Sequence, residues 1–361
     1  MNDSPGLPLD GIRVVDFSTL LPGPLATLLL ARAGAGMIKV EPPAGDAMRT
    51  LLGDGGAAFD LLNAGKRSVC VDLKAADGRE AVGALCAGAD VVVEQFRPGV
   101  MSRLGLDYQA LARANPSLVY CAITGYGQHG PGRGAAGHDI NYIAEAGLFD
   151  LFRDRDGTPM VPPVLLADVV GGAYPAFANI LLALVARAKS GRGAFIDIAM
   201  TRGLQALSVS SVAAALDPSR PGGAAALDGS AANYRCYRCA DGAWLAVRAL
   251  EGKFWSRLAE LLELPEALRE LPPAAPEVVE TAVGRFASRP AADWLALFEG
   301  EDVCCSRVST LAEALERLAD PEHGTFPLPL PLAPVHDGGA VGPAPVLGEG
   351  NVEFLGRRFA P

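Results

Sequence analysis

His138 and Asp168 are the side chains of this sequence best suited to chemistry. The first stands in Gly137-His138-Asp139-Ile140-Asn141-Tyr142, one of only four histidines in 361 residues. The second stands in Ala167-Asp168-Val169-Val170-Gly171-Gly172. An imidazole titrates near neutrality, and a carboxyl group placed across a carbon from it could return a proton to the other face. That chemistry is inversion at a carbon next to a carbonyl, which needs a close base and a stabilised enolate oxygen. A backbone N–H at the helix start near Asp168 could bind that oxygen. The spacing alone does not make a site. Read as plain structure, His138 opens a helix and Asp168 is an N-cap. Pro175 interrupts the helix that would follow, since it removes one donor, and the glycines before it could absorb the strain.

Other candidates are weaker by themselves. Glu251, in Arg248-Ala249-Leu250-Glu251-Gly252-Lys253, reads as a carboxylate in the first turn of a helix, where the dipole favours it. Lys39, Lys66, Arg67, Arg97 and Arg103 fall at predicted strand ends and loops. In an open parallel sheet that edge is where phosphates dock. Gly65-Lys66-Arg67 is not a P-loop. No Gly-x-Gly-x-x-Gly follows the first strand, which argues against a dinucleotide site and a nicotinamide-dependent oxidoreductase. Cys236 and Cys239 form the only Cys-x-x-Cys pair and lack two further ligands, so no metal is expected.

The elements that must position these residues alternate. Ile12–Phe17, Met37–Glu41, Ser68–Asp72, Val91–Glu94 and Leu118–Ile123 read as strands, with helices at Leu25–Arg32 and Gly78–Cys86 between them. This is the pattern of an α/β, doubly wound parallel sheet. A long apolar helix follows over Tyr174–Ala188, then a strand over Ala194–Ile198. The run Ile180–Val185 reads as buried and too short to span a bilayer. Segments rich in Gly, Ala, Pro and Ser suggest a large domain over 1–200, a linker over 201–233, a small domain over 234–320, a second linker over 321–345, and a return of 346–361 to the large domain. Asp241-Gly242 marks a hairpin turn in the small domain. The net charge of −10 argues against nucleic acid or anionic membrane as partner. The N-terminus carries no signal-peptide pattern, and the seven cysteines have no disulfide-like spacing. A reduced, cytoplasmic protein is expected.

Several segments together are similar to the class III CoA-transferase and α-methylacyl-CoA racemase superfamily. They are Leu9–Phe17, Gly34–Pro43, Gly65–Val69, Phe96–Val100 with Leu104-Gly105-Leu106, and Tyr237–Gly242. The resemblance implies a Rossmann-like large domain completed by the C-terminal tail, a smaller α/β domain, and an interlocked homodimer. It implies an acyl-CoA substrate and no separate cofactor. Transferases of the superfamily use one aspartate, matched by Asp168, as a covalent nucleophile beneath a glycine-rich loop. No run of three or four glycines stands between 225 and 260. Racemases pair that aspartate with the histidine of Gly-His-Asp, matched by His138, and orient the histidine with a glutamate, matched by Glu251. Tyr234 falls at an active-site tyrosine, and Asp139 and Tyr142 join the basic residues as expected CoA contacts. Arg248 stands where racemases usually carry glycine and Arg235 where an acid is common, which bears on the acyl pocket. The implied activity is racemisation of a 2-methylacyl-CoA or related α-branched thioester. CoA transfer, or acyl-CoA binding without turnover, are the alternatives.

Overall fold

The computed structural model describes residues 6–154, 156–217, 227–318 and 342–356. It divides into two compact units, Met1–Leu207 with Ala319–Pro361, and Ser208–Leu318. The division falls later than the expected linker start at 201, because that stretch is helical: α8 (Met200–Gly203), a 3₁₀ turn (Leu204–Ser208) and α9 (Val209–Leu216). The apolar repeat of Val209, Val212 and Leu216 favours helix over linker. Residues 218–226 of the first expected linker and 321–341 of the second lie outside the described residues.

The larger unit is built on six parallel strands: β1 (Arg13–Asp16), β2 (Gly36–Glu41), β3 (Arg67–Cys70), β4 (Val91–Glu94), β5 (Val119–Thr124) and β6 (Ala194–Ala199). Their order is β3-β2-β1-β4-β5-β6, with all pairs parallel. Strands covered on both faces read as continuous apolar runs rather than alternating ones; β4 and β5 are buried at every position. The connections carry α1 (Pro22–Arg32), α2 (Ala57–Asn63), α3 (Ala76–Ala87), α4 (Val100–Leu104), α5 (Tyr108–Ala114), α6 (Asp139–Glu145) and α7 (Tyr174–Ser190). The strand order reverses between β1 and β4, so their carboxyl ends diverge and leave a crevice there.

Ahead of α7 lies a π-helical turn, Ala167–Ala173, running straight into the helix with Pro175 in its first turn. The predicted interruption is thus a change of pitch and not a break. A proline lacks the donor that an α-helical turn would use, and the wider turn absorbs the mismatch. Gly171 lets this turn touch α8: a Cβ there would lie 2.3 Å from the Met200 carbonyl oxygen, and one on Gly203 would lie 2.4 Å from that of Gly171. The combined helical run Ala167–Ser190 is 24 residues long and contains an 18-residue window of mean hydropathy 1.8, so by length and composition alone it would reach across a bilayer, as core helices also can. The apolar stretch therefore extends well beyond Ile180–Val185. The run lays one face on the sheet, with Ala173, Ala176 and Ile180 fully buried.

A C-terminal segment closes the outer edge of the sheet. In α15 (Asn351–Leu355), the Asn351 carboxamide accepts the Cys70 N–H at 2.7 Å and donates to the Cys70 carbonyl at 2.9 Å. The Gly350 N–H donates to the Ser68 carbonyl at 2.8 Å.

The smaller unit is an antiparallel sheet of β7 (Tyr234–Arg238), β8 (Trp244–Arg248) and β9 (Cys305–Arg307). Gly242, at φ +81°, makes the predicted hairpin turn. With it go α10 (Gly252–Leu261), α11 (Glu266–Arg269), α12 (Pro276–Phe286), α13 (Ala291–Leu297) and α14 (Leu311–Leu318). Tyr237, Leu245 and Val247 face a core with Trp255, Phe286 and Trp294, where the Tyr237 and Phe286 rings stack at 4.2 Å.

Candidate active site

A cleft of about 290 Å³ opens at the carboxyl ends of β1, β4 and β5, where the strand order reverses. From β1 come Thr19 and Leu20, from β4 Gln95, Phe96 and Arg97, and from β5 Thr124, Gly125 and Tyr126. Leu20 holds φ +61°, a conformation disfavoured for a side-chain-bearing residue. Its N–H donates to Asp46 Oδ1 at 3.2 Å, which pins the loop. Gln95 accepts the Gly23 N–H at 3.1 Å, and Glu94 accepts that of Phe96 at 2.7 Å. Burial pushes the Glu94 carboxyl up to about 8.

His138 and Asp168 both line this cleft. His138 precedes α6 in extended conformation and its N–H donates to Asn141 Oδ1 at 3.0 Å. The Asn141 N–H donates back to the His138 carbonyl at 2.8 Å. This exchange fixes the chain entry and leaves the imidazole exposed. Asp168 lies in the π-helical turn. Burial foremost, and the Asp139 charge next, push its carboxyl up to about 7.

Asp139 differs from its expected role as a CoA contact. It is buried, and its Oδ1 accepts the Asp168 N–H at 2.9 Å. The backbone amides of Ala167 and Leu166 also bear on it, while burial raises its carboxyl above the usual range. The amides that open the π turn are therefore engaged, which removes the expected donor to an enolate oxygen near Asp168. Tyr142 lies across the cleft floor. Its hydroxyl donates to the Gly137 carbonyl, and its ring meets that of Tyr126 edge-on at 5.3 Å. A Cβ on Gly125 would strike the Tyr142 ring at 2.2 Å.

Of the five expected phosphate contacts, only Arg97 lines the cleft, with its side chain exposed. Lys39 and Lys66 are corrected to internal roles, being 0% and 2% exposed. Lys39 pairs with Asp46 at 2.8 Å and donates to the Ser18 carbonyl at 2.7 Å. Lys66 pairs with Asp16 at 3.3 Å and donates to Thr27 Oγ1 at 2.7 Å, to Asn63 Oδ1 at 3.0 Å and to the Pro24 carbonyl at 2.9 Å. A buried ammonium is tolerated only when so surrounded, and burial still lowers Lys66 to about 8. Arg67 is spent on Glu349 and Glu353, at 2.9 and 2.6 Å. Arg103 is exposed in the last turn of α4, apart from the cleft wall.

Tyr234, Arg248 and Glu251 belong to the smaller unit. Tyr234 faces Arg248 across the β7–β8 ladder, and Glu251 caps α10 through its carbonyl, with an exposed side chain. The structure thus gathers His138, Asp168, Arg97 and Tyr142 on one cleft with Asp139 behind, and groups the other three at one end of a hairpin. Arg133, Gln95 and Tyr126 also line the cleft but were missed. Gln95 and Tyr126 could have been found from their place just beyond predicted strands. Arg133 sits among glycines and alanines with no spacing signal.

Comparison with known proteins places this arrangement. Residues 9–324 match CoA-transferase family III. The chain is 37% identical to alpha-methylacyl-CoA racemase of Mus musculus, over 96% of this chain and 92% of that protein. It is 33% identical to succinyl-CoA:glutarate CoA-transferase of Mus musculus, over 85% and 73% of the two chains. Among solved structures, Rv3272 from Mycobacterium tuberculosis superposes with a TM-score of 0.84 at 28% identity, covering 97% of this chain and 99% of that one. A CaiB/BaiF family protein from Brucella suis gives 0.80 at 28%, covering 96% and 98%. With its parallel sheet and the cleft at the reversal of strand order, this chain belongs to CoA-transferase family III.

Proposed function

We propose that the chain is a racemase of 2-methylacyl-CoA or related α-branched acyl-CoA thioesters, acting by two-base proton transfer through an enolate. The observation that carries this reading is the pair itself: His138 and Asp168 share one cleft, and burial pushes the Asp168 carboxyl up to about 7. A group poised near the working pH serves as well in either protonation state. For one epimer His138 takes the α-proton and Asp168 gives one back; for the other the roles reverse. The racemase relatives, similar over nearly the whole chain, favour the same chemistry. CoA is the handle of the substrate, with Arg97 as a phosphate contact, and no separate cofactor takes part.

We also propose a homodimer in which the smaller unit of one chain supplies Glu251, Tyr234 and Arg248 to the cleft of its partner. In support, α7 leaves Leu182 and Val185 exposed, and α9 leaves Val209 and Leu216 exposed.

The test is incubation with a (2R)-2-methylacyl-CoA in D₂O. Exchange of the α-proton with formation of the (2S) epimer is expected. The relatives named as CoA-transferases favour a second reading, attack of the Asp168 carboxylate on the thioester carbonyl to form a mixed anhydride as the C–S bond breaks and the CoA thiolate leaves. A mass shift at Asp168 after hydroxylamine trapping, without α-exchange, would establish that reading instead. Tight CoA binding with neither result would mark a binding protein.

A further inference from the structure

Asp139 stands where the two proton-transfer groups meet in the chain. It follows His138 directly as the first residue of α6. Its Oδ1 accepts the N–H of Asp168 at 2.9 Å, and the amides of Ala167 and Leu166 bear on the same carboxylate. Only 7% of Asp139 is exposed. A buried carboxylate is costly unless hydrogen-bonded, and here the opening amides of a single turn satisfy it. Helix starts leave such donors without intrahelical partners. A neutral acceptor would cap them too, so capping alone does not account for a charge at this position.

Building on the racemase reading, we infer that Asp139 is a positioning residue for the proton-transfer pair: its carboxylate ties the Asp168 turn to the His138 helix entrance, and its charge acts on the Asp168 carboxyl. The other titratable groups on the cleft are His138 and Tyr142 from the α6 side, Tyr126 from beyond β5, and Arg97 and Arg133 on the wall. Of α1 and α8, which also pack on the π turn, only Pro22 and Met200 line the cleft, and β6 lines none of it. Asp139 is thus the carboxylate bonded to the backbone of the very residue it influences. Burial is the larger cause of the raised Asp168 value; a like charge beside a carboxyl also favours the protonated form, so Asp139 adds to burial in holding the Asp168 proton near neutral pH.

The test is a carbon-13 NMR titration of the Asp168 carboxyl in wild type and in Asp139→Asn, with Asp168→Asn to assign the signal. Asparagine can accept the same amide but carries no charge. The midpoint is expected near 7 in wild type and at lower pH in Asp139→Asn. This readout needs no substrate, so it succeeds or fails independently of the α-proton exchange that tests the racemase reading. Asp139→Ala removes the acceptor as well. Its kcat for exchange should fall about tenfold or more, with KM within about threefold, as expected when geometry and not binding is lost. Asp139→Asn should recover much of that kcat. An unmoved midpoint in folded Asp139→Asn, or Asp139→Ala turning over like wild type, overturns the inference.

Discussion

A carboxyl group withdrawn from water holds its proton more tightly, and Asp168 does so at the place where a proton must be exchanged. Its raised folded-state value makes the native form bind more protons than the unfolded chain between about 4 and 7. The stability contributed is present in full below the unfolded value and is lost as pH rises through about 7. Asp168→Asn should therefore gain stability relative to wild type as pH goes from 5 to 8, by about 2 kcal/mol after allowing for partial exposure, read from urea melts at the two pH values. An equal difference at both pH values would refute the environment assigned to Asp168. In catalysis the same change is costly. His138→Ala and Asp168→Ala should each leave less than about a tenth of wild-type epimerisation, a loss above ~1.4 kcal/mol in barrier, with CoA binding kept. The cations separate in the same way. Arg97→Ala should raise KM for the acyl-CoA more than it lowers kcat, whereas Lys66→Ala strands the buried Asp16 charge and should cost about 3–5 kcal/mol of stability. Calorimetry beside steady-state kinetics would show whether either residue behaves like the other.

Among the elements, the π-helical turn is the part most sensitive to volume. Gly171 meets the Met200 carbonyl so closely that Gly171→Ala must push two backbones apart. About 3 kcal/mol of destabilisation is expected, together with lost epimerisation because Asp168 rides on the same turn; an alanine variant with a wild-type urea midpoint would contradict the packing. The strands were legible in the sequence because apolar runs bounded by Gly and Pro have few other readings, and Val91–Glu94 was placed to the residue. Pro175 and its glycines announced an irregular helix but not its form. The charges were not legible. Lys66 looks like a surface cation until Asp16, 50 residues earlier, is beside it, and Arg67 until Glu349 arrives from 282 residues away. The partner of Asp139 is a backbone amide, which sequence does not display. Distance along the chain hid these partners, and no local pattern stood in for it.

At the scale of the molecule, the proposed dimer predicts about twice the chain's 37.3 kDa by light scattering at micromolar concentration. Co-expressed Asp168→Ala and Glu251→Ala chains should recover activity that neither homodimer has, since one site of the mixed dimer would carry no lesion. A monomer, or proven heterodimers without recovery, would end that proposal. The C-terminal clasp on β3 has a different consequence, one of timing. Asn351 and Cys70 are 281 residues apart, with the whole smaller unit encoded between them. A ribosome adding about 5–20 residues per second therefore holds β3 as an open sheet edge for about 14–56 seconds before its seal emerges. Exposed edges invite pairing with other chains, so during that interval the nascent protein is at its most vulnerable. A chain stalled before residue 342 should be markedly more prone to aggregation and proteolysis than one released after 356, although its strands and its cleft residues would already have been made.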